Sequence, residues 1–303
     1  MERIMPSGPM CCIAGAAAVT LMGSAPANFP IPWLHYWCNG EIRNTRCRGH
    51  SEHSTAPQVN MYDLSNFTLR DMLMCGGDLR RVSRKASSME EAATAIVRYL
   101  YERSGGPEGG EKSCALIRCY KTHAYSGLDP TLRSFADLSL GGTKPTDSMK
   151  CLTLLASVGE EPAWNSRHNS NGHKAIPLPS AKVVESAPMI AQLIRQFGLQ
   201  ISDLVAASSE ALQPHEGKTY NVFHVQQALG SPSIPAQKDF VERYGIRSVL
   251  GFGGILRTGD LFAVILFSRI EIPPDSAQRF RTLALDVKSS FFPFRDDAIF
   301  VPR

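Results

Sequence analysis

The chain contains 303 residues, of which 43% are hydrophobic and 20% are charged, and its formal net charge at pH 7 is +4. This composition argues against an intrinsically disordered chain and leaves room for one large buried core or two modest ones. The positive charge is too small and too dispersed to indicate nucleic-acid binding, and no apolar run reaches the roughly 18 residues of a membrane-spanning helix.

Residues 1–60 differ in composition from the rest of the chain. They are rich in Pro, Gly, Ala, Cys and His, and their apolar residues recur at neither the helical nor the strand period. We predict a disordered leader here, the alternative being that the functional chain starts at Met61. Residues 10–27 contain an apolar stretch followed by small residues, as a secretion signal does, but the weakly basic start favours a cytoplasmic protein.

The leader also holds the residue types of a structural zinc site, namely Cys38, Cys47, His50 and His53. Two thiolates and two imidazoles would complete a tetrahedral site. The cysteines are too far apart for a zinc knuckle, and the histidines are too close together for a zinc-finger helix. We therefore predict no metal site.

Two helices are predicted before the first strand. Apolar residues recur at helical spacing over residues 64–85, with a break expected at Gly76-Gly77. A capping sequence at Ser88 begins a second helix. Residues 104–113 imitate a phosphate-binding loop, but they follow a helix and precede a strand, the reverse of that motif, so we predict a flexible linker.

The first strand is predicted at residues 114–123. Cys114 and Cys119 lie five positions apart in it, and side chains at odd spacing along a regular strand face opposite sides of a sheet. A bridging or reactive thiol pair is therefore not expected. Free buried cysteines are the prediction.

The middle of the chain is predicted to alternate strands with short helices. A helix begins at Asp129, a second strand spans residues 150–158, and a polar loop follows at residues 164–179. The next helix should be interrupted at Pro188, because proline cannot donate the helical hydrogen bond. A further strand is expected at residues 217–225.

The best-formed part of the chain is a hairpin followed by a helix. Its first strand is predicted to turn through Gly253 and Gly254, and residues 257–260 supply further turn chemistry. The second strand, residues 261–270, is apolar enough to be buried on both faces of a sheet. A helix with apolar residues at three- and four-residue steps starts at Pro274.

These residues resemble a known family. The resemblance is to the end of a GAF-type sensor domain, and it rests on residues 245–250, the Gly253-Gly254 pair, residues 261–267 and the Leu283-Ala284 pair of the helix. The wider stretch of residues 64–294 resembles the GAF-like input regions that precede PAS and histidine-kinase modules in bacterial signalling proteins. It implies an α+β domain over residues 61–294, with a central antiparallel or mixed sheet of about five or six strands, helices on both sides, and a tail at residues 295–303.

The resemblance also implies a function, the sensing of a small molecule or a redox signal, in which a ligand bound between sheet and loops shifts the flanking helices. The ligand contacts expected on this basis are His123, Trp164, His168, His173, Tyr220, His224 and Phe252. The implied partners are a histidine kinase or another signalling module, and a second copy of the chain. The cofactor is unknown, with haem, flavin and no cofactor all left open.

Two alternatives remain. The chain could be a ligand-free dimerisation module, in which the pocket would be filled by the protein's own side chains. It could instead be a thiol-dependent reductase that uses Cys114, Cys119 or Cys151. No catalytic motif is present in the sequence, and we expect no enzymatic activity.

Overall fold

The computed structural model describes residues 61–105, 112–170, 172–205, 220–294 and 298–301. The leader, with its secretion-like stretch and its zinc-type residues, lies outside the described residues. The α-helices are α1 (Leu69–Ser83), α2 (Met89–Arg103), α3 (Pro130–Leu140), α4 (Ala181–Glu185), α5 (Pro188–Gln196), α6 (Ile201–Val205) and α7 (Pro274–Phe291). In this part of the chain, no helix combines the length and the apolar character that crossing a membrane requires.

A single antiparallel sheet forms the centre of the fold. Its strands are β1 (Cys114–Ala124), β2 (Lys150–Gly159), β3 (Ala175–Pro177), β4 (Tyr220–Val225), β5 (Ser248–Ile255) and β6 (Leu261–Ser268). Their order across the sheet is β3-β2-β1-β6-β5-β4, and every neighbouring pair is antiparallel. Strand β6 is buried on both faces, as its apolar sequence predicts, and β5 is buried along its length as well.

The long helices α1, α2 and α7 cover one face of the sheet and form what we call the helix-side core. Phe280 of α7 stacks 4.6 Å from Phe67 and 5.5 Å from Phe252 of β5, measured between ring centroids. The core also includes Met72, Leu79, Ile96, Leu100, Cys119, Leu155, Phe262, Leu283 and Val287. Helical spacing in the sequence therefore produces a continuous apolar layer on this face.

Short helices and irregular segments cover the other face and form the loop-side core. Here α4, α5 and α6 pack with the segment between β4 and β5, which contains a π-helical turn at Gln237–Glu242. The loop-side core includes Leu116, Tyr120, Leu154, Trp164, Ile194, Phe197, Phe223, Phe240, Ile265 and Phe267. The predicted α+β fold, a sheet of five or six strands with helices on both sides, is confirmed.

The helix break predicted at Gly76-Gly77 is wrong, because α1 runs through both glycines. At Gly76, α1 packs closely against α7: a Cβ built on it would lie 2.2 Å from Oδ2 of Asp286. The same construction at Gly77 meets nothing within 4 Å. Asp286 is itself paired with Arg80, so Gly76 makes room for an interhelical ion pair.

The turn predicted at Gly253-Gly254 is also wrong, since β5 continues past both glycines and pairs with β6 along its whole length. A Cβ on Gly253 would lie 2.1 Å from the carbonyl oxygen of Phe262 on β6, so a larger residue could not keep this strand contact. The chain reverses instead at residues 257–260. Gly259 takes a φ of 78° there, which glycine adopts at little cost.

Cys114 and Cys119 face the same side of the sheet, which corrects the prediction that they face opposite sides. The register of β1 against β6 shifts by one residue between Cys114 and Leu116, which is a β-bulge. Both cysteines therefore belong to the helix-side core. They are free and buried, as predicted.

Two helix boundaries follow the sequence signals. Asp129 caps α3, its carboxylate accepting a hydrogen bond from the N–H of Leu132 at 2.9 Å. The interruption predicted at Pro188 is confirmed, because α4 ends at Glu185 and α5 begins at the proline.

A buried ion cluster fastens the β5–β6 hairpin to the first two strands. The carboxylate of Asp260 accepts hydrogen bonds from Nζ of Lys121 at 2.7 Å, Nζ of Lys150 at 2.9 Å and Oγ1 of Thr258 at 2.8 Å. Burial raises the pKa of Asp260, but the ammonium of Lys121 and the hydrogen bonds from both lysines outweigh burial and hold that pKa below its usual value. Asp260 is therefore charged at neutral pH.

Candidate functional site

A cavity of about 80 Å³ lies on the loop side of the sheet. Strands β1, β2 and β6 form its floor, and α5 together with residues 234–236 forms its wall. Its lining consists of Arg118, Tyr120, Leu152, His173, Ile176, Ala187, Pro188, Met189, Ile190, Ile234, Pro235, Ala236, Ile265 and Phe267. A mostly apolar cavity with a few polar groups is typical of small-molecule sites.

The polar end of the cavity joins β1 to the loop that precedes β3. Nη1 of Arg118 donates a hydrogen bond to the hydroxyl of Tyr120 at 3.2 Å, and Nη2 donates one to Oγ of Ser170 at the same distance. Ser170 in turn donates to the carbonyl of Gly172 at 2.9 Å. Arg118 is buried, at 5% exposure. These contacts fix a guanidinium at the junction of strand and loop.

His173 completes the polar end. Burial, followed by the positive charge of Arg118, lowers the pKa of His173 to about 3. The imidazole is therefore neutral at physiological pH and offers one hydrogen-bond donor and one acceptor. Its φ of 59° lies in the left-handed region, which is uncommon for a residue with a side chain.

A second, smaller apolar cavity of about 20 Å³ adjoins the first. The two cavities share four lining residues, Leu152, Met189, Ile190 and Ile265. Met189 is unbranched and flexible, so a change in its side-chain conformation can connect the two spaces. The apolar part of the site can therefore expand along α5.

Of the predicted ligand contacts, His173 lines the cavity. Trp164 instead packs in the loop-side core, with its ring 4.7 Å from Tyr244 and 6.0 Å from Phe240. Phe252 lies in the helix-side core on the other face of the sheet. The structure thus places the two large predicted rings in the cores.

Other predicted contacts lie away from the cavity lining. His123 packs edge-on against Phe300, with ring centroids 5.6 Å apart. His224 hydrogen-bonds the backbone of Ile272, and burial lowers its pKa. Tyr220 begins β4, and its side chain lies outside the described part of the chain. Among the described residues, no group of three or more His, Cys, Asp or Glu side chains is arranged to hold a metal ion.

The loop before β3 is anchored to α2 and to the C-terminal residues. Nε of Arg167 lies 2.7 Å from Oε1 of Glu90, and its guanidinium lies 4.8 Å above the ring of Phe300. His168, another predicted ligand contact, has its Nε2 3.3 Å from the same Glu90 oxygen. The N–H of Glu90 donates to the carbonyl of Ile299 at 2.8 Å. Part of the predicted tail is therefore fixed to the first turn of α2.

Sequence reasoning missed Arg118 and Tyr120, which form the polar end with His173. A signal was present: Arg118 directly follows the apolar run of residues 114–117 in the predicted strand, and a buried charge needs specific polar surroundings. No local sequence pattern indicates that residues 234–236 line the cavity. Their place at the cavity depends on how the segment between β4 and β5 folds over the sheet.

The cysteines of the described residues give little support to thiol chemistry. Burial raises the pKa of Cys114 and of Cys151 to about 12, and it raises the pKa values of Cys75 and Cys119 well above the usual range. The reactive form of cysteine is the thiolate. These thiols stay protonated at neutral pH.

Comparison with known proteins gives structural similarities alone: no family model and no curated protein matches the chain. It is similar to the GAF domain of an Acinetobacter phosphoenolpyruvate-protein phosphotransferase, with a TM-score of 0.38, 10% identity, and coverage of 73% of this chain and 93% of that one. It is also similar to the GAF domain of the corresponding Coxiella burnetii protein, with a TM-score of 0.39, 10% identity, and coverage of 74% of this chain and 94% of that one. A third similar structure is the phycoerythrobilin-bound GAF domain of a cyanobacterial phytochrome, with a TM-score of 0.35, 12% identity, and coverage of 73% of this chain and 97% of that one.

Proposed function

We propose that this chain is a sensory domain that binds a small molecule in the loop-side cavity. The observation that carries the proposal is the cavity itself, with apolar walls and a polar end built from Arg118, Tyr120 and His173. In a ligand-free module, the protein's own side chains would fill this space. Convergent polar groups and a shifted pKa in an apolar pocket are typical of ligand sites.

The loop before β3 offers a route from the ligand to a flanking helix. Ser170 and His173 stand at the cavity, while Arg167 and His168 contact Glu90 in the first turn of α2. A ligand that binds one arrangement of this loop better than another shifts the populations of both. The ion pair to α2 then changes with ligand occupancy. This supports small-molecule sensing, whereas the buried thiols give redox sensing less support.

Native mass spectrometry of the full chain, compared with denaturing spectra, tests the proposal. We expect an extra mass in the native spectrum of protein purified from cells. Ala187→Leu should remove that mass, because Ala187 is 3% exposed and lines the cavity. Val183→Leu, at an exposed position of α4, should retain it. An extra mass of equal abundance in the wild type and in Ala187→Leu would place the ligand elsewhere.

A second function, dimerisation, is favoured by apolar side chains on the surface of α1. Leu69, Leu73 and Met74 are 61%, 65% and 55% exposed, and Leu69 and Leu73 lie four residues apart on one side of the helix. Leu73→Glu should convert a dimer to a monomer in light scattering, and Leu138→Glu on the exposed surface of α3 should not. A monomeric wild type would contradict this.

A histidine-kinase partner, a cytoplasmic location and the absence of catalysis stay predictions.

A further inference from the structure

The charge that lines the cavity is positive. An arginine guanidinium is a cation in proteins, so Arg118 brings a positive charge to the cavity, whereas the imidazole of His173 is neutral at physiological pH. Among the described residues that line the cavity, none is Asp or Glu. The guanidinium would repel a cationic head group and attract an anionic one.

The shape of the polar end suits a carboxylate. A guanidinium is planar, and its N–H groups match the two oxygens of a carboxylate, with stronger hydrogen bonds than neutral pairs make. The hydroxyl of Tyr120, which accepts from Arg118, can donate a further hydrogen bond at the same end, and His173 places a neutral imidazole beside it. An anion here would therefore meet donors from β1 and from the loop.

The size of the cavity limits the rest of the ligand. Its volume of about 80 Å³ is roughly half that of an engineered cavity of another protein, about 150 Å³, which holds benzene. The walls beyond the polar end are aliphatic or aromatic and provide no further hydrogen-bonding side chain within the described lining. A hydrocarbon body of a few carbons fits this space, and a longer one, such as the chain of hexanoate, requires Met189 to move toward the second cavity.

We infer that the ligand is a short aliphatic monocarboxylate, whose carboxylate binds Arg118 and whose hydrocarbon chain fills the apolar cavity. This inference rests on the proposed function of the same site. It adds the chemical class of the ligand and assigns the head-group specificity to one residue.

Isothermal titration calorimetry of the full chain with hexanoate, 1-hexanol and hexylamine tests the inference, because the three probes differ in the head group alone. Hexanoate should bind at least about tenfold more tightly than hexanol, as a charge-assisted hydrogen bond requires, and hexylamine should bind more weakly than hexanol. Arg118→Gln should reduce the affinity for hexanoate to that for hexanol. Arg195→Gln, on the exposed surface of α5, is the matched control and should change neither.

A second variant at Arg118 distinguishes loss of the contact with the head group from misfolding of the protein. Arg118→Lys keeps the charge without the planar fork, so it should still prefer hexanoate to hexanol, with reduced affinity. Equal affinity of the wild type for hexanoate and hexanol, both lost in Ala187→Leu, would overturn the ligand class and leave the pocket in place. A preference for hexanoate that persists in Arg118→Gln would overturn the role of Arg118. No binding of any probe to the wild type would overturn the ligand class, and the extra mass in the native spectrum would then decide separately whether the proposed function stands.

Discussion

The two faces of the sheet are covered in different ways. The helix side carries α1, α2 and α7, which are 15, 15 and 18 residues long, whereas α4, α5 and α6 on the loop side have 5, 9 and 5. Helices shorter than about 12 residues depend on packing for their stability. Both apolar cavities described above are on the loop side, although packed aromatic rings occur on both faces. We infer that the helix side is the more rigid face and that the loop side accommodates the proposed ligand.

Truncation of one side chain on each face should reveal this difference most strongly. Phe280→Ala should lower the free energy of unfolding by about 3–5 kcal/mol, because Phe280 is 1% exposed and stacks on two rings. Met189→Ala should cost less than about 2 kcal/mol, because Met189 is partly exposed and already borders two cavities. Urea unfolding measures both. Equal losses would contradict the distinction between the faces.

The next largest change in the free energy of unfolding is expected when the ion cluster of Asp260 is disrupted. Asp260→Asn should lower the free energy of unfolding by about 3 kcal/mol at neutral pH, because two lysines lose their shared carboxylate. The folded-state pKa of Asp260 is lowered, so its contribution is present above the unfolded-state pKa of about 4 and is lost as the pH falls through the folded-state value.

The wild type should therefore lose its advantage over Asp260→Asn in urea unfolding below about pH 4. Asp275→Asn, at an exposed position in the first turn of α7, is the control and should change stability far less. An advantage that stays constant down to the lowest pH would contradict a titrating Asp260.

Replacing either of two adjacent glycines of α1 by alanine should change the free energy of unfolding by a smaller amount, and in opposite directions at the two positions. Gly76→Ala should destabilise by about 1 kcal/mol or more, because its Cβ displaces Asp286 from the ion pair with Arg80. Gly77→Ala should stabilise by about 0.5–1 kcal/mol, since alanine favours helix and nothing lies within 4 Å of the new atom. Thermal unfolding of the two variants, compared in one buffer, measures the difference. The same sign in both would show that the helix contact is not tight.

The smallest expected effect is on the pH dependence of binding. The affinity for hexanoate should be constant between about pH 5.5 and 8, because Arg118 stays charged and His173, with a pKa of about 3, stays neutral. Isothermal titration calorimetry at several pH values in this range measures the affinity. An affinity that falls as the pH rises through about 6.5 would mean that His173 titrates there and is less shielded than its surroundings indicate.

The sequence predicts the two faces unequally well. The long helices have helical periods and β6 is a continuous apolar run, so neighbouring residues alone predict these elements, although the break in α1 and the turn at Gly253-Gly254 are wrong. The loop-side cavity brings together Arg118, His173 and residues 234–236, which lie far apart in the chain, so no local pattern predicts the site. His173 is predicted as a ligand contact from the resemblance, together with Trp164 and His168 of the same polar loop.

Three predictions are wrong because they depend on contacts between elements that the local sequence does not show. The one-residue bulge in β1 reverses the facing of Cys114 relative to Cys119, and nothing in the composition of the strand indicates it. Gly76 and Gly253 carry no turn or break, because each is required by a close contact with another element. A glycine in a sequence indicates a special position, but the contact that requires it becomes visible only in the folded chain.

Hydrogen–deuterium exchange of the full chain, with and without hexanoate, tests most directly whether a ligand acts on the loop side. Bound hexanoate should slow exchange in residues 172–176 and 187–191 and alter it in the first turn of α2, while α7 stays unchanged. Protection confined to α1 and α7, or spread evenly over both faces, would contradict a loop-side ligand site supported by a rigid helix side.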